Sequence, residues 1–253
     1  MVAVFDDLEG QSVFITGGGS GIGAALTEAF LRQGAKVAFC QRSDATPFCD
    51  AMEQATGNRP LFLPCDISVT DQLQLTLSTA ANVHGPITAL VNNAANDQRH
   101  ETLETDEAFW DWSINVNLRS YFFACKSVLP GMKAAGGGSI INFSSISFMM
   151  ADTGYAAYIT ANAGIVGMTR TLAREFGPAR IRVNAVAPGW VLTERQKQQW
   201  VTPTGLAKHL ERQCLPDPIQ PEDVAGTVLF LASDASKMMT SQTLILDGGY
   251  ISG

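Results

Sequence analysis

A glycine-rich stretch near the N-terminus offers the clearest candidate for chemistry in this chain. Residues 15–23 have the sequence Ile-Thr-Gly-Gly-Gly-Ser-Gly-Ile-Gly and lie between an apolar run and an amphipathic run, where a strand would pass into a helix. Glycine permits positive φ and a close approach of backbone to ligand. A helix N-terminus presents unpaired N–H groups to an anion. We therefore expect this turn to bind a pyrophosphate; the alternative is an ordinary strand–helix turn.

Two side chains further along the chain could move a proton at a hydroxyl or carbonyl oxygen. Tyr158 could transfer the proton, but its ordinary pKa is about 10, so it must be stabilised as phenolate to act as a base at neutral pH. Ser145 could hold the reacting oxygen by a hydrogen bond. By themselves, an aromatic core residue and a cap at a strand end are the simpler interpretations of these two residues.

Strand-like and helix-like runs alternate along the chain and must position these groups. The predicted strands are 12–15, 36–40, 61–64, 88–91, 139–143, 181–186 and 243–246. The predicted helices are 24–32, 69–83, 105–133, 156–176 and 221–232, with Pro130 bending or ending the third. Short strands that are apolar on both faces and separated by helices predict a parallel sheet covered on both sides. The fold class is therefore α/β, a doubly wound seven-stranded parallel sheet that binds ligands beyond the carboxyl ends of its strands.

Segment 190–221 is the least regular part of the chain. It follows the sixth predicted strand and is interrupted by Trp, Pro and Gln. An excursion at this point predicts a lid over the active-site crevice. Since the chain shows no internal repeat and no linker, we expect a single domain over residues 1–253.

Seven ordered motifs resemble those of the short-chain dehydrogenase/reductase family. The glycine turn resembles its cofactor fingerprint, and Ser145 followed thirteen residues later by Tyr158 resembles its serine–tyrosine spacing. The other five are Asp66 with Ile67, Asn92-Asn93-Ala94-Ala95, Asn117 within Asn115-Val116-Asn117-Leu118, Pro188-Gly189 with Thr193, and Asp247-Gly248-Gly249. The resemblance covers nearly the whole chain. It implies a Rossmann fold and an oxidoreductase that transfers a hydride between an alcohol or carbonyl substrate and a nicotinamide cofactor.

The resemblance also assigns roles to individual residues. Tyr158 would transfer the proton, Ser145 would hold the substrate oxygen, and Asn117 would hold a water that relays protons to solvent. The implied cofactor-binding residues are Thr16, Gly17, Gly19, Ser20, Gly21, Ile22, Gly23, Arg42, Asp66, Ile67, Asn93, Ala94, Ala95, Tyr158, Asn162, Pro188, Gly189, Val191 and Thr193. The candidate substrate-binding residues, on loops at the carboxyl ends of strands, are Asn96, Ser145, Ser147, Tyr158, Trp190 and Gln196.

Asn162 departs from the family pattern, which has lysine four residues after the tyrosine. That position lies one helical turn from Tyr158 on the same face. The family lysine lowers the pKa of the tyrosine and hydrogen-bonds the nicotinamide ribose; Asn162 could reach the ribose but carries no charge. A unit charge about 4 Å away is worth roughly 4 kcal/mol at an effective dielectric near 20, or about three pKa units as an upper bound. None of the six lysines has an evident claim to replace it.

Three explanations of Asn162 remain open from the sequence. The chain is an impaired variant of an active enzyme, a natural enzyme that works slowly or at alkaline pH, or a cofactor-binding protein without catalysis.

The cofactor preference is expected to depend on the end of the second strand. Family members that prefer NAD commonly have an acid there that accepts hydrogen bonds from the ribose, whereas this chain has Gln41 followed by Arg42. A guanidinium suits a 2′-phosphate. Since Gly18 is not basic, only one of two common phosphate anchors is present. We expect NADP, with NAD as the alternative, and no metal.

Five stretches resemble bacterial aldose 1-dehydrogenases acting on D-xylose or D-galactose: 96–100, 112–119, 145–147, 193–196 and 202–205. This resemblance implies oxidation of a cyclic sugar at its anomeric carbon to a lactone. Two alternatives remain. A carbonyl reductase of the 3-oxoacyl type shares every core motif, and a nucleotide-binding regulator without turnover is supported only by Asn162.

Composition limits the other partners. The net charge is −7 with no basic run, which argues against a nucleic-acid partner. The sequence has no run of 18 or more apolar residues, so we expect no membrane span. The five scattered cysteines favour reduced thiols over disulfides or a zinc site. With an acidic N-terminus unlike a signal peptide, we expect a cytoplasmic protein. The family resemblance implies a homotetramer assembled through two long helices and the C-terminal strand.

Overall fold

A seven-stranded sheet forms the centre of the computed structural model, which describes residues 3–252. The strands are β1 (Ser12–Thr16), β2 (Lys36–Gln41), β3 (Leu61–Pro64), β4 (Ala89–Asn92), β5 (Gly138–Phe143), β6 (Ile181–Pro188) and β7 (Thr243–Leu246). All neighbouring strands are parallel, in the order β3-β2-β1-β4-β5-β6-β7. The predicted doubly wound seven-stranded α/β fold in a single domain is confirmed.

Helices cover both faces of this sheet. They are α1 (Gly21–Arg32), α2 (Thr46–Thr56), α3 (Thr70–His84), α4 (Glu107–Ile114), α5 (Ser120–Ala134), α6 (Ser147–Met150), α7 (Ala156–Phe176), α8 (Glu194–Gln199), α9 (Pro203–Leu210) and α10 (Pro221–Ala232). Successive residues of a strand point to opposite faces. Val13 and Ile15 accordingly pack with α1 and α10 in one buried cluster, while Phe14 packs with α3, α5 and α7 in another.

The strand order reverses between β1 and β4, whose carboxyl ends lie side by side. The hydroxyl of Thr16, the last residue of β1, accepts hydrogen bonds from the backbone N–H groups of Asn93 (2.9 Å) and Ala94 (3.0 Å). Ligands of doubly wound sheets bind at such a switch point. The fold therefore brings the glycine turn after β1 and the Asn-Asn-Ala-Ala segment after β4 to one crevice.

The predicted helix over 105–133 is observed as an unbroken helical stretch from Glu107 to Ala134, with one irregular turn inside it. A π-helical turn, Asn115–Arg119, separates α4 from α5. The Asp106 side chain caps α4 by accepting from the backbone N–H of Phe109, at 2.8 Å. Of the two effects expected of Pro130, bending or ending the helix, ending does not occur, because α5 continues to Ala134. π turns are frequent at functional sites, and this one contains Asn117.

Four helices were not predicted. Residues 46–56 form α2, where Phe48 and Met52 pack on the core. The irregular segment 190–221 contains α8 and α9, each capped by a threonine: Thr193 and Thr202 accept hydrogen bonds from backbone N–H groups of their own helices. The fourth is the single turn α6. These helices are short or weakly apolar, so periodicity alone did not reveal them.

Within residues 3–252, no helix is long and apolar enough to cross a membrane. The same residues contain no group of three or more His, Cys, Asp and Glu side chains arranged to hold a metal ion.

Candidate active site

The glycine turn between β1 and α1 is built from tightly packed backbone. Gly17 and Gly21 have φ of +71° and +52°, the left-handed region in which glycine costs least. A Cβ on Gly23 would collide with the carbonyl oxygen of Gly17, and one on Gly18 would collide with Phe39. At these positions the chain therefore has no room for any residue but glycine.

Side-chain hydrogen bonds hold the turn in place from three directions. The Asn93 amide donates to the carbonyls of Thr16 (3.0 Å) and Gly17 (3.3 Å). The Thr27 hydroxyl, inside α1, donates to the carbonyl of Gly18 at 2.8 Å. The backbone N–H of Gly19 donates to the Gln41 side chain at 3.1 Å. The backbone carbonyls of Thr16, Gly17 and Gly18, which precede the N-terminus of α1, thus accept hydrogen bonds from side chains of the protein.

A cleft of about 1220 Å³ runs from this turn past Tyr158 to segment 190–221. Of the site residues predicted from sequence, the cleft is lined by Gly17, Ser20, Gly21, Ile22, Gly23, Arg42, Asp66, Ile67, Asn93, Ala94, Ala95, Asn96, Asn117, Ser145, Ser147, Tyr158, Asn162, Pro188, Gly189, Trp190, Val191, Thr193 and Gln196. Thr16 and Gly19 do not line it: Thr16 is buried behind the turn and the N–H of Gly19 bonds Gln41. Residues from six strand ends therefore meet in one cavity.

Tyr158 lies in the first turn of α7 and faces this cleft. Burial raises the pKa of its phenol, and the negative charge of Asp97 raises it further. Hydrogen bonding by the side chains of Ser145 and Asn162, and the positive charge of Arg99, lower the pKa but do not outweigh burial. The phenol is therefore protonated at neutral pH in the free protein.

Asn162 lies one turn after Tyr158 on α7 and is buried. Its side-chain amide donates to the backbone carbonyl of Tyr158 at 2.9 Å, and its backbone carbonyl accepts from the Ser144 hydroxyl at 3.0 Å. The residue thus binds its own helix and the end of β5. No lysine lines the cleft within residues 3–252.

The side chain of Asn117 clamps the loop that follows β4. Its carbonyl accepts from the backbone N–H of Asn96 at 2.7 Å, and its amide donates to the carbonyls of Asn96 (3.0 Å) and Ser113 (2.9 Å). The π turn presents this side chain, which is buried. Since the amide is used in these contacts, its visible effect is to fix Asn96 at the cleft wall.

Segment 190–221 is joined to the loop after β4 by a chain of polar contacts. The Trp190 indole donates to the carbonyl of the Gln196 side chain at 2.9 Å, and the Gln196 amide donates to Asp97 at 3.0 Å. Arg195 forms a salt bridge with the same carboxylate at 2.9 Å. Asp97 therefore connects α8 to a loop a hundred residues earlier in the sequence.

Several cleft residues were missed by the sequence analysis, among them Asp97, Arg99, Asp152, Tyr155 and Trp200. The rings of Tyr155 and Tyr158 stack with centroids 5.6 Å apart. The Tyr155 hydroxyl donates to Asp152 at 2.7 Å. For Asp97 and Arg99 two signals were available: they follow a strand end, and they fall in stretch 96–100, which resembles the aldose 1-dehydrogenases.

The donor set fits a nicotinamide dinucleotide. The glycine turn would be filled by any Cβ at Gly18 or Gly23, and it opens on a helix N-terminus suited to a pyrophosphate. Asp66 and Ile67 line the cleft beyond β3, although one Asp66 oxygen already accepts from the backbone and hydroxyl of Ser68.

Comparisons with known proteins agree with this geometry. A family model described as enoyl-(acyl carrier protein) reductase matches residues 17–251. The chain is 46% identical to the probable galactose dehydrogenase GalD of Rhizobium meliloti (strain 1021), covering 97% of this chain and 96% of that protein. It is 45% identical to D-xylose 1-dehydrogenase of Caulobacter vibrioides (strain NA1000 / CB15N), covering 98% of both.

Among solved structures, a short-chain type dehydrogenase/reductase from Mycobacterium ulcerans superimposes with a TM-score of 0.91 at 25% identity, over 98% of this chain and 91% of that one. The matched family model and the near-complete coverage of relatives include the glycine turn, the serine–tyrosine pair and the C-terminal strand. The chain therefore belongs to the short-chain dehydrogenase/reductase family and is an oxidoreductase that uses a nicotinamide cofactor.

Proposed function

We propose that this protein oxidises an aldose at its anomeric carbon to the lactone, with NADP as the preferred cofactor. The observation that carries the proposal is the single cleft in which the glycine turn, the Ser145–Tyr158 pair and a polar substrate wall meet. The identity of 45–46% to two sugar dehydrogenases over nearly the full chain supports the substrate class.

The cofactor would be held by the glycine turn at its pyrophosphate and by residues beyond β3, β4 and β6 at its other parts. We assign Thr16, Gly17, Gly19, Ser20, Gly21, Ile22, Gly23, Arg42, Asp66, Ile67, Asn93, Ala94, Ala95, Tyr158, Asn162, Pro188, Gly189, Val191 and Thr193 to this role. When bound, the nicotinamide supplies the hydride acceptor. Thr16 and Gly19 act from behind the turn, by holding it in shape.

Tyr158 acts as the general base for the anomeric hydroxyl. Ser145 holds the same oxygen, which keeps the proton within reach of the phenol oxygen. Because burial raises the pKa of Tyr158, the phenolate fraction increases as the pH rises toward that pKa. Turnover is therefore expected to increase from neutral to alkaline pH, which corresponds to the slow or alkaline-pH explanation of Asn162. Asn117 fixes Asn96 at the cleft wall. We also assign to Asn117 the role of holding a water that relays protons to solvent.

The polar wall suits a polyol. The Ser147 hydroxyl is buried, lines the cleft and has no hydrogen-bond partner in the described part of the chain. Such a group costs about 1–3 kcal/mol unless it is paired, and a substrate hydroxyl would pair it. Asn96, Trp190 and Gln196 line the same region and complete the proposed substrate-binding set with Ser145, Ser147 and Tyr158.

Segment 190–221 is the proposed lid. Its first helix, α8, is bound to the loop after β4 through Asp97, and Thr193 lies against Gly21 of the glycine turn. A segment that contacts both the cofactor turn and the substrate wall is well placed to exclude water. Neither α8 nor α9 contains a buried residue.

The preference for NADP is supported by the surroundings of β2. No carboxylate occupies the position of Gln41, whose carbonyl is bonded to the N–H of Gly19 and whose amide donates to Ser43. Arg42 and Ser43 line the cleft beside it. An exposed guanidinium and a hydroxyl suit a 2′-phosphate. Arg42→Ala is expected to weaken NADP more than NAD, with Arg32→Ala, a surface arginine paired to Glu28, as control.

The proposal is tested by following NADP and NAD reduction with D-xylose, D-galactose and other aldoses, and NADPH oxidation with 3-oxoacyl thioesters. Turnover confined to aldoses supports it, and turnover confined to thioesters supports the carbonyl reductase alternative. Tight nucleotide binding by calorimetry without turnover on either panel would instead favour a cofactor-binding protein.

The proposed assembly is a homotetramer in the cytoplasm. Phe122 on α5 is 44% exposed, and Ile245 on the edge strand β7 is 46% exposed, which provides apolar surface on the elements that the family uses. All five cysteines are free thiols, as in reducing compartments. Light scattering coupled to gel filtration measures the mass directly.

A further inference from the structure

We propose that Arg99 supplies the positive charge beside Tyr158 that this chain lacks at position 162, acting through the phenol as a positioning residue. The inference rests on the proposed function, in which Tyr158 is the base. Among the described residues that line the cleft there is no lysine, and the basic side chains are Arg42, Arg99 and Arg195.

Among these three, Arg99 is the one that stacks on Tyr155, the ring that neighbours Tyr158. Its guanidinium carbon lies 3.6 Å from the centroid of the Tyr155 ring. Tyr155 in turn stacks on Tyr158 with centroids 5.6 Å apart and an interplanar angle of 17°. Arg195 is paired with Asp97, and Arg42 lies at the end of β2, at the opposite end of the cleft. A cation over a ring face is a favourable arrangement, so the stack holds the charge near the phenol.

The backbone on both sides of Arg99 is anchored, so its position does not depend on the stack alone. Asn117 holds Asn96 through two hydrogen bonds. The N–H of His100 donates to the carbonyl of Gly154 at 2.8 Å, and the His100 ring accepts from the N–H of Ala157 at 3.3 Å. The loop is thereby tied to the segment that begins α7, the helix of Tyr158.

The proposed lid contributes a second ring. The Trp200 side chain, which follows α8, lies 5.6 Å from the Arg99 guanidinium. Arg99 is exposed to solvent, and water screens an exposed charge. A ring on the lid side reduces that screening, so the effect of Arg99 on the phenol is expected to be larger when the lid is docked.

The charged and titratable groups around Tyr158 have opposing effects. Asp97 raises the pKa of Tyr158, and Arg99 lowers it. Tyr121 of α5 is fully buried, and burial raises its pKa. Burial also raises the pKa of Tyr155, and Asp152, which accepts a hydrogen bond from the Tyr155 hydroxyl, raises it further. Arg99 is thus the positive side chain that acts against burial and Asp97 at this phenol.

The test measures the pKa of Tyr158 in the free protein by NMR of tyrosine labelled with ¹³C at Cζ, which requires no substrate. The chain has four tyrosines, and Tyr158→Phe assigns the signal. Arg99→Met keeps the stem and removes the charge, whereas Arg99→Lys keeps both. Arg170→Gln is the control for net charge. Arg170 lies on the exposed face of α7, about 18 Å along the helix axis from Tyr158.

We expect Arg99→Met to raise the pKa of Tyr158 by about half to one unit and to move the ascending limb of kcat/KM against pH toward higher pH by the same amount. Arg99→Lys should restore both toward the parent.

The inference is overturned if Arg99→Met and Arg99→Lys give the same Tyr158 pKa, or if Arg99→Met shifts it no more than Arg170→Gln. The first result would assign Arg99 to packing of the stack alone. Failure of the proposed aldose oxidation would instead appear as absent turnover with the NMR titration still responding to Arg99.

Discussion

The glycine turn, where we propose that the cofactor binds, and the proposed substrate wall of this cleft are built in different ways. Around β1 and α1 the site is backbone, with glycines packed so closely that a Cβ on Gly23 would meet the Gly17 carbonyl. Around the loop after β4 and the proposed lid it is side chains, in which Asp97 joins Gln196 and Arg195 across the cleft. In the first half, Gly18 and Gly23 leave no room for another residue type, whereas the second half can change its specificity by exchanging polar groups.

Tyr158 lies where the two halves meet, so its removal has the largest expected effect. Tyr158→Phe keeps the ring stack with Tyr155 and removes the proton acceptor. We expect kcat to fall by about 10²–10⁴-fold, with nucleotide affinity nearly unchanged, measured by steady-state kinetics and calorimetry. Tyr250→Phe, a phenol on the C-terminal segment outside the cleft lining, is the matched control. Retained turnover in Tyr158→Phe would contradict the assignment of the base.

Gly23→Ala tests the backbone half. The added methyl meets the Gly17 carbonyl and the Asn93 amide, so the turn must open. We expect nucleotide affinity to fall by about 10²-fold and the free energy of unfolding by about 1–3 kcal/mol.

Its control is Gly226→Ala in α10, where a Cβ meets nothing within 4 Å. That change should stabilise the protein by up to about 1 kcal/mol and leave nucleotide affinity unaltered. Equal nucleotide affinities for the two variants would show that the turn is not the binding element.

Asn162→Lys introduces into α7, the helix of the proposed base Tyr158, the charge that the sequence lacks. A cation one turn from Tyr158 lowers the pKa of the phenol, so the phenolate is present at lower pH and activity at pH 7 should rise by about tenfold or more. Asn162→Gln, which adds length without charge, should give no such gain. Identical rate profiles for the parent protein and the Asn162→Lys variant across the range from about pH 6 to pH 10 would refute this account of the tyrosine.

Gln196→Ala tests the side-chain half and has the smallest expected effect. The change removes the link between Trp190 and Asp97, which loosens α8. We expect KM for the sugar to rise by a few-fold to about tenfold, in line with a lost hydrogen bond of roughly 1 kcal/mol, while kcat and nucleotide affinity change little. Lys197→Ala, on the exposed side of the same helix, should leave KM unaltered. Equal effects of the two substitutions on KM would contradict a role for the Trp190–Gln196–Asp97 contacts in sugar binding.

The two halves also differed in how far sequence could predict them. Strands β1 to β7 were located within two residues at every boundary, because each is a short run of mainly apolar residues; the five inner strands are largely buried, and the edge strands β3 and β7 are partly exposed. The glycine turn was found because steric exclusion acts between neighbours such as Gly17 and Gly23, and so leaves a local signature. Helix α2 was missed because it is weakly apolar overall, although its apolar residues fall on one face. The π turn at Asn115–Arg119 was missed because it lies within a continuous helical stretch.

The positions of the seven strands along the chain, the glycine turn, the Ser145–Tyr158 pair and the missing charge at Asn162 are properties of the sequence, since each depends on residue type and local spacing. The tertiary structure alone decided that Arg99 would lie over Tyr155, that Asp97 would hold Gln196, and that Asn117 would hold Asn96. These contacts join residues 21 to 99 positions apart. A polar side chain gives no sign in the sequence of which distant partner will satisfy it, because that choice depends on how strands and loops meet at the carboxyl edge of the sheet.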